Sequence, residues 1–208
     1  MQFHEGASSG AFFVILALML TLQYATPETW TETVLNDFDN FLADHAAAEK
    51  KASGMAVSML SHYPDRPQIV KAMIDLAIEE MTHFRDVIRI MQQRGLVLKP
   101  DAKDDYVNLL RRAQRRQSEA YLLDRLLVGA IVEARGHERF TLVGEALEDP
   151  QLKRFYQSIS SSESRHALLF VDLANLYFSA NEIQQRLDEL LALEAKIVAS
   201  LPLRAALH

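Results

Sequence analysis

Glu80-Met81-Thr82-His83 and Glu163-Ser164-Arg165-His166 repeat one four-residue pattern, Glu-x-x-His. Each sits in a stretch whose apolar residues recur at helical spacing: Met73, Leu76 and Val87 around the first, Ile159, Phe170 and Leu173 around the second. Residues three apart on a helix share a face, so each Glu and its His point at one place. With 15 Glu and 7 His in 208 residues, about 0.5 such matches arise by chance, so the spacing of the two copies matters more than either one. Two more apolar stripes each carry a single mid-stripe Glu: Leu42, Glu49 and Ala56 in one, Leu126, Glu133 and Phe140 in the other. Glu49 lies 31 residues before Glu80, and Glu133 lies 30 before Glu163. That is half a helix, a turn and half another helix, so the chain reads as two similar helical hairpins.

A carboxylate on the buried face of a helix costs several kcal/mol unless something compensates it. Four such helices call for one shared compensator. One Glu from each of two helices plus a Glu-x-x-His from each of the other two is the ligand arrangement of di-iron and di-manganese carboxylate bundles. The expected ligands are therefore Glu49, Glu80, His83, Glu133, Glu163 and His166, around two iron ions, or manganese, since carboxylate and imidazole suit both. The plain alternative is a bundle whose buried Glu and His satisfy one another. His45, His137 and Arg165 are expected beside the ligands rather than on the metals.

The expected fold class is all-α: a four-helix bundle with extra flanking helices. The predicted helices run from Thr26-Pro27-Glu28 to about Asn36, then to Tyr63, from Gln68 to Arg94, Asp105 to Arg116, Ser118 to Leu147 and Gln151 to Phe178, with Asn181 capping a last one to about Ser200. Gly95 reads as a left-handed stop. No strand pattern appears. Apolar residues make up 49% of the chain, enough for a sizeable core, and 7 Gly and 6 Pro are too few for a turn-rich β-sandwich. The absence of Cys excludes disulfides, Cys-ligated iron–sulfur clusters and cysteine nucleophiles.

The apolar run Ala11 to Leu20 is shorter than a membrane span and lacks a basic start. Residues 1–21 are expected as a peripheral apolar extension, residues 22–208 as the helical domain, and the cytoplasm as the location. The net charge of −6 disfavours a general nucleic-acid binder, yet Arg111, Arg112, Arg115 and Arg116 make one positive face if they share a helix. That face suits an anionic partner such as RNA, or else is solvated and paired with nearby acids such as Asp105 and Glu119. No RNA-binding module signature is present. His4, His62 and His208 fall off the stripes and are expected in solvent; Tyr63, Tyr106 and Tyr121 carry no assigned role.

The words around these ligands are similar to those of a known family. Leu22 to Trp30, Asp44-His45-Ala46-Ala47-Ala48-Glu49-Lys50-Lys51-Ala52, Glu79 to Phe84 with Ile90 to Gly95 downstream, Ile131-Val132-Glu133-Ala134-Arg135, and Ser162 to His166 resemble, in that order and spacing, the MiaE family. These are ferritin-like, non-haem di-iron tRNA-(2-methylthio-N6-isopentenyladenosine) hydroxylases. The resemblance runs from about Leu22 to Ser200. Two departures stand beside expected ligands: Gly136-His137 where the family has Ser-Cys, and Ala48 where it has Cys.

The resemblance implies an O2-dependent monooxygenase that hydroxylates the isopentenyl side chain of a tRNA adenosine beside the anticodon. The second oxygen atom leaves as water, and an outside ferredoxin- or flavoprotein-type donor supplies two electrons. tRNA is then the partner, the protein a monomer or small oligomer with no membrane contact, and the four arginines phosphate contacts. Two other activities share such a site: a di-iron hydroxylase, desaturase or oxidase of small or carrier-bound molecules, and ferritin- or rubrerythrin-like iron or peroxide handling. The last needs a cage or a Cys-x-x-Cys site, and the chain has no Cys.

Overall fold

The computed structural model describes residues 20–208. Among them are seven helices and no strand: α1 (Glu28–Asn36), α2 (Phe38–His62), α3 (Pro67–Gln93), α4 (Asp105–Arg112), α5 (Ser118–Ala146), α6 (Pro150–Tyr177) and α7 (Ala180–Ser200). The expected peripheral extension lies, but for its last two residues, outside this range. No described helix is long and apolar enough to cross a membrane.

Punctuation residues set these limits. Pro67 and Pro150 occupy first-turn positions, where a missing N–H costs nothing. Asp149 caps α6, accepting from the Gln151 and Leu152 amides at 2.7 and 3.1 Å. Gly95, at φ 72°, ends α3 in the left-handed conformation that glycine takes without steric cost. The Leu96 amide then closes back on the Met91 carbonyl at 2.9 Å.

Three limits differ from the sequence expectation. Ser179, not Asn181, caps α7, in a reciprocal capping box with Glu182. Thr26 does not cap α1; its hydroxyl donates to Glu138 at 2.6 Å, and Pro27 takes the cap position without a side-chain bond. α4 ends at Arg112 rather than Arg116, because the Arg115 amide and guanidinium both donate to the buried Asp124, turning the chain away.

Helices α2 and α3 form one antiparallel hairpin, and α5 and α6 the other. Close packing of α5 on α6 depends on Gly129: a Cβ there would meet the Phe170 ring at 3.0 Å. The main core joins α3, α5 and α6 through Leu76, Leu126, Ala130 and Phe170, all nearly or fully buried. Burying such a side chain is worth about 1.5–3 kcal/mol. A second core gathers Trp30, Phe41, Phe140 and Tyr156. The mid-stripe acids lie between the two.

α4 and α7 brace one side. Arg135 on α5 donates to Glu194 on α7 at 2.8 Å, and Tyr106 on α4 donates to the same carboxylate at 3.1 Å, all three buried. Residues after α7 fold back: Trp30 donates to the Ala206 carbonyl at 3.2 Å, and the Leu207 amide donates to Asp44 at 2.7 Å. His208, expected in solvent, instead stacks on Tyr106 at 4.6 Å and pairs with Asp104 at 3.1 Å. That contact, over burial, holds the Asp104 carboxyl down at about 2. His62 is exposed as expected, and His4 lies outside the described residues.

Replacing Ser179 with Ala removes the α7 capping box and should cost about 1 kcal/mol. For a chain of this size the thermal midpoint should fall by roughly 2–4 °C. An unchanged midpoint would contradict the capping assignment.

Candidate metal centre

α2 brings Glu49, α3 Glu80 and His83, α5 Glu133, and α6 Glu163 and His166 to one place, and all six are buried. Two overlapping groups form: Glu49, Glu80, His83 and Glu163, and Glu80, Glu133, Glu163 and His166. Within each, one potential ligand atom per residue lies within 4.8 Å of the others. Glu80 and Glu163 belong to both groups. Each imidazole turns Nδ1 inward: His83 Nδ1 is 3.5 Å from Glu80 and 3.6 Å from Glu49, and His166 Nδ1 is 3.0 Å from Glu80 and 3.8 Å from Glu133.

These side chains do not satisfy one another. Both Glu80 oxygens, Glu163 Oε1, His83 Nδ1 and His166 Nδ1 are buried without a hydrogen-bond partner, and even the 3.0 Å approach of His166 to Glu80 lacks hydrogen-bond geometry. Among the described residues no Lys or Arg lies within ion-pair distance of any of the four carboxylates. Burial pushes the Glu80 carboxyl up to about 8, and burial with the facing Glu133 pushes Glu163 well above the carboxylate range. Burial would lower the two imidazoles, but the surrounding carboxylates win, raising His83 to about 10 and His166 to about 9. Four crowded acids with inward imidazole nitrogens fit a pair of cations: the donor set is oxygen and nitrogen, and every orphaned atom gains a partner.

The surroundings hold residues the sequence did not single out. Glu79, about a third exposed, lies 3.3 Å from His166 Nε2 and 3.9 Å from His83 Nε2, on the outward side of both rings. Neither approach is a hydrogen bond, and His166 Nε2 is itself buried without a partner, so Glu79 stands near both rings without fixing them. Arg165, expected beside the ligands, contacts none of the four clustered carboxylates; it donates to Glu79 at 2.9 Å and to Ser162 at 2.7 Å. His45 does stand beside the cluster: Nε2 donates to Glu49 at 2.6 Å, and Nδ1 lies 3.2 Å from the buried Tyr156 hydroxyl. Against burial, the His45 hydrogen bond and the nearby His83 imidazole hold the Glu49 carboxyl far below its usual range. His137 departs from expectation: it bonds Ser160 across the α5–α6 interface and meets none of the six. A Cβ at Gly136 would sit 3.2 Å from Glu163 Oε2, so a larger residue here would press on that carboxylate.

A cavity of about 710 Å³ opens from the cluster and separates α2 from α5. Glu49, Glu80, Glu133 and Glu163 form its floor; Ala52, Met55, Val128 and Val132 line its middle. Both family departures, Ala48 and Gly136, face it. Of the four arginines expected to form one face, Arg111 alone lines the cavity. Arg112 and Arg116 are exposed away from it, and Arg115 is spent on Asp124 at 2.7 Å. With α4 ending at Arg112, the four do not share a helix.

A family model described as tRNA-(MS[2]IO[6]A)-hydroxylase (MiaE) matches residues 14–208. The chain belongs to the MiaE family. The MiaE-family tRNA 2-(methylsulfanyl)-N(6)-isopentenyladenosine(37) hydroxylase of Pseudomonas putida is 35% identical over 175 residues, 84% of this chain and 85% of that one. The enzyme of the same name from Salmonella typhimurium is 29% identical over 193 residues, covering 88% and 70%. A solved Synechococcus structure, named Protein 43 with aldehyde deformylating oxygenase activity, superposes with a TM-score of 0.84 at 34% identity, covering 88% of this chain and 92% of that one. The helical, ferritin-like bundle expected from sequence is thus the fold of this MiaE-family chain.

Glu163→Gln removes one crowded carboxyl, which the metal-free fold must hold protonated. In chelator at neutral pH, the variant should melt several degrees above wild type, about 2–4 °C for each kcal/mol relieved. Because the folded-state carboxyl titrates above its ordinary value of 4.5, the penalty grows as pH rises past that value, so the gain should vanish near pH 4.5. Added Fe2+ should raise the wild-type midpoint more than the variant's. A metal-free variant less stable than wild type at pH 7 would contradict the charge-crowding account.

Proposed function

We propose that this chain is an O2-dependent monooxygenase that hydroxylates the isopentenyl side chain of 2-methylthio-N6-isopentenyladenosine beside the anticodon of tRNA. Glu49, Glu80, His83, Glu133, Glu163 and His166 would hold two iron ions, or manganese; Glu80 and Glu163 belong to both groups of potential ligand atoms. The observation that carries the reading is the uncompensated buried cluster at the floor of an apolar cavity, in a chain 35% identical to a hydroxylase of that name. Residues 22–208 form the catalytic unit. The protein acts in the cytoplasm as a monomer or small oligomer and draws two electrons from a ferredoxin- or flavoprotein-type donor.

The metal pair supplies O2 activation and insertion of one oxygen atom. The chain supplies everything else. Ala52, Met55, Val128 and Val132 give an apolar channel that seats a branched hydrocarbon and keeps water from the reacting carbon. An apolar cavity with a few polar groups at one end suits a single splayed-out nucleotide, and a base inside a loop must leave its stack to enter. His45 and Tyr156 hold Glu49 ionised and in place. Glu79, tied to Arg165, places a negative charge on the outward side of the two imidazoles.

A second reading has its footing in the Synechococcus neighbour, whose name carries aldehyde deformylating oxygenase activity at a similar identity. On that reading the cavity takes a small apolar substrate. The test separates the two. Reduced, iron-loaded protein, O2 and an electron source are incubated with tRNA from a strain lacking this gene, and nucleosides are analysed by mass spectrometry. The isopentenylated adenosine should gain one oxygen. If a loaded, reducible centre turns over an aldehyde but leaves the tRNA nucleoside unchanged, the tRNA reading fails.

A further inference from the structure

The mouth of the cavity carries charge that its floor does not explain. Lys51, Lys103, Arg111 and Arg125 line it, whereas Asp104 is the sole acid among the lining residues outside the four floor glutamates. Asp104 is already engaged by His208 at 3.1 Å and by the Val107 amide at 2.9 Å. Lys103 has Asp105 at 3.6 Å, and Lys51 donates to the Ala102 carbonyl at 2.8 Å. The two arginines are different. Arg111, exposed at the end of α4, has no polar partner among the described residues. Arg125, half-buried on α5, has no carboxylate: its Nη2 makes a 3.3 Å bond to Ser58, and its Nη1 is buried with no partner.

Arg125 is also held rigidly. Its guanidinium lies 5.8 Å from the Tyr63 ring centre and 5.6 Å from that of Tyr121, a cation–π bracket from two elements. A braced cation without a counter-charge is costly unless an anion arrives. Arg125 stands eight residues before Glu133 on the same helix, which is about 12 Å at 1.5 Å per residue. A nucleotide whose base and side chain fill the channel toward Glu133 therefore has its sugar and phosphates at the height of Arg125.

We propose that Arg125 and Arg111 form a phosphate clamp at the cavity mouth, binding the backbone on either side of the splayed adenosine in a single-stranded RNA loop. The clamp rests on the tRNA reading above, and it replaces the four-arginine face expected from sequence: Arg112, Arg115 and Arg116 have no part in it. Planar guanidinium forks match phosphate oxygens. The bracketing tyrosines keep the Arg125 fork pre-set, so little side-chain freedom is lost on binding.

The test uses the iron-loaded full chain and substrate tRNA. Arg111→Gln and Arg125→Gln should each weaken tRNA binding at least about tenfold and raise KM in step, with kcat at saturating tRNA retained. Each should also reduce the slope of log Kd against log salt concentration by about 1. Iron per chain should match wild type, because neither residue touches the cluster. Arg154→Gln, an equal charge change on α6 outside the cavity, should shift Kd by about twofold or less. If Arg125→Gln fails to fold, Arg111→Gln alone decides. Unchanged Kd and salt slope in Arg111→Gln, or equal weakening in Arg154→Gln, would overturn the clamp while leaving wild-type tRNA hydroxylation standing. Failure of the wild type to hydroxylate tRNA would overturn the underlying reading and the clamp with it.

Discussion

Four carboxylates converge in the interior of this protein with no lysine or arginine among the described residues to balance them. Everything else in the structure is arranged around that imbalance. The helices must cross so that Glu49, Glu80, Glu133 and Glu163 meet at one height, and the apolar cores on either side must hold them there against mutual repulsion. Glu80 and Glu163 are driven toward their protonated forms, while both imidazoles are driven toward theirs. A ligand of opposite charge would relieve that strain. The same charge would favour a pair of cations bound among these oxygens and nitrogens.

Around the cluster the chain has built supports of two kinds. On the inner side, Tyr156 and His45 brace Glu49 through buried hydrogen bonds. On the outer side, Glu79 spans both histidines and is itself anchored by Arg165 near the surface. Glu79, His83 and His166 are not among the residues that line the cavity, so substrate and outer support lie apart. This division lets the pocket change, as at Ala48 and Gly136, away from Glu79 and the two histidines.

The long elements were legible because periodicity and punctuation agree: Pro67, Gly95 and Pro150 stand where their backbone preferences put them. The six clustered residues were legible because Glu-x-x-His spacing is a local rule that survives folding. What sequence missed was set by contacts across the fold. Nothing in Glu79 marks it as a neighbour of His166, 87 positions on. Thr26 looks like a cap until Glu138 claims it. Arg111 to Arg116 looks like one helical face until Asp124 draws Arg115 out of it. His208 looks free until the chain end folds onto Tyr106. The Tyr156–His45–Glu49 line carried one earlier signal, His45 a helical turn before Glu49; the tyrosine offered none.

The central claim is that two metal ions neutralise the buried acids. Crystals grown with Fe2+ under reducing conditions, measured on either side of the iron absorption edge, test it most directly. The account predicts two anomalous peaks, about 3.5–4 Å apart, one beside Glu49 and His83 and the other beside Glu133 and His166, with Glu80 and Glu163 reaching both. A single peak, or iron bound elsewhere with the six side chains unchanged, would contradict it.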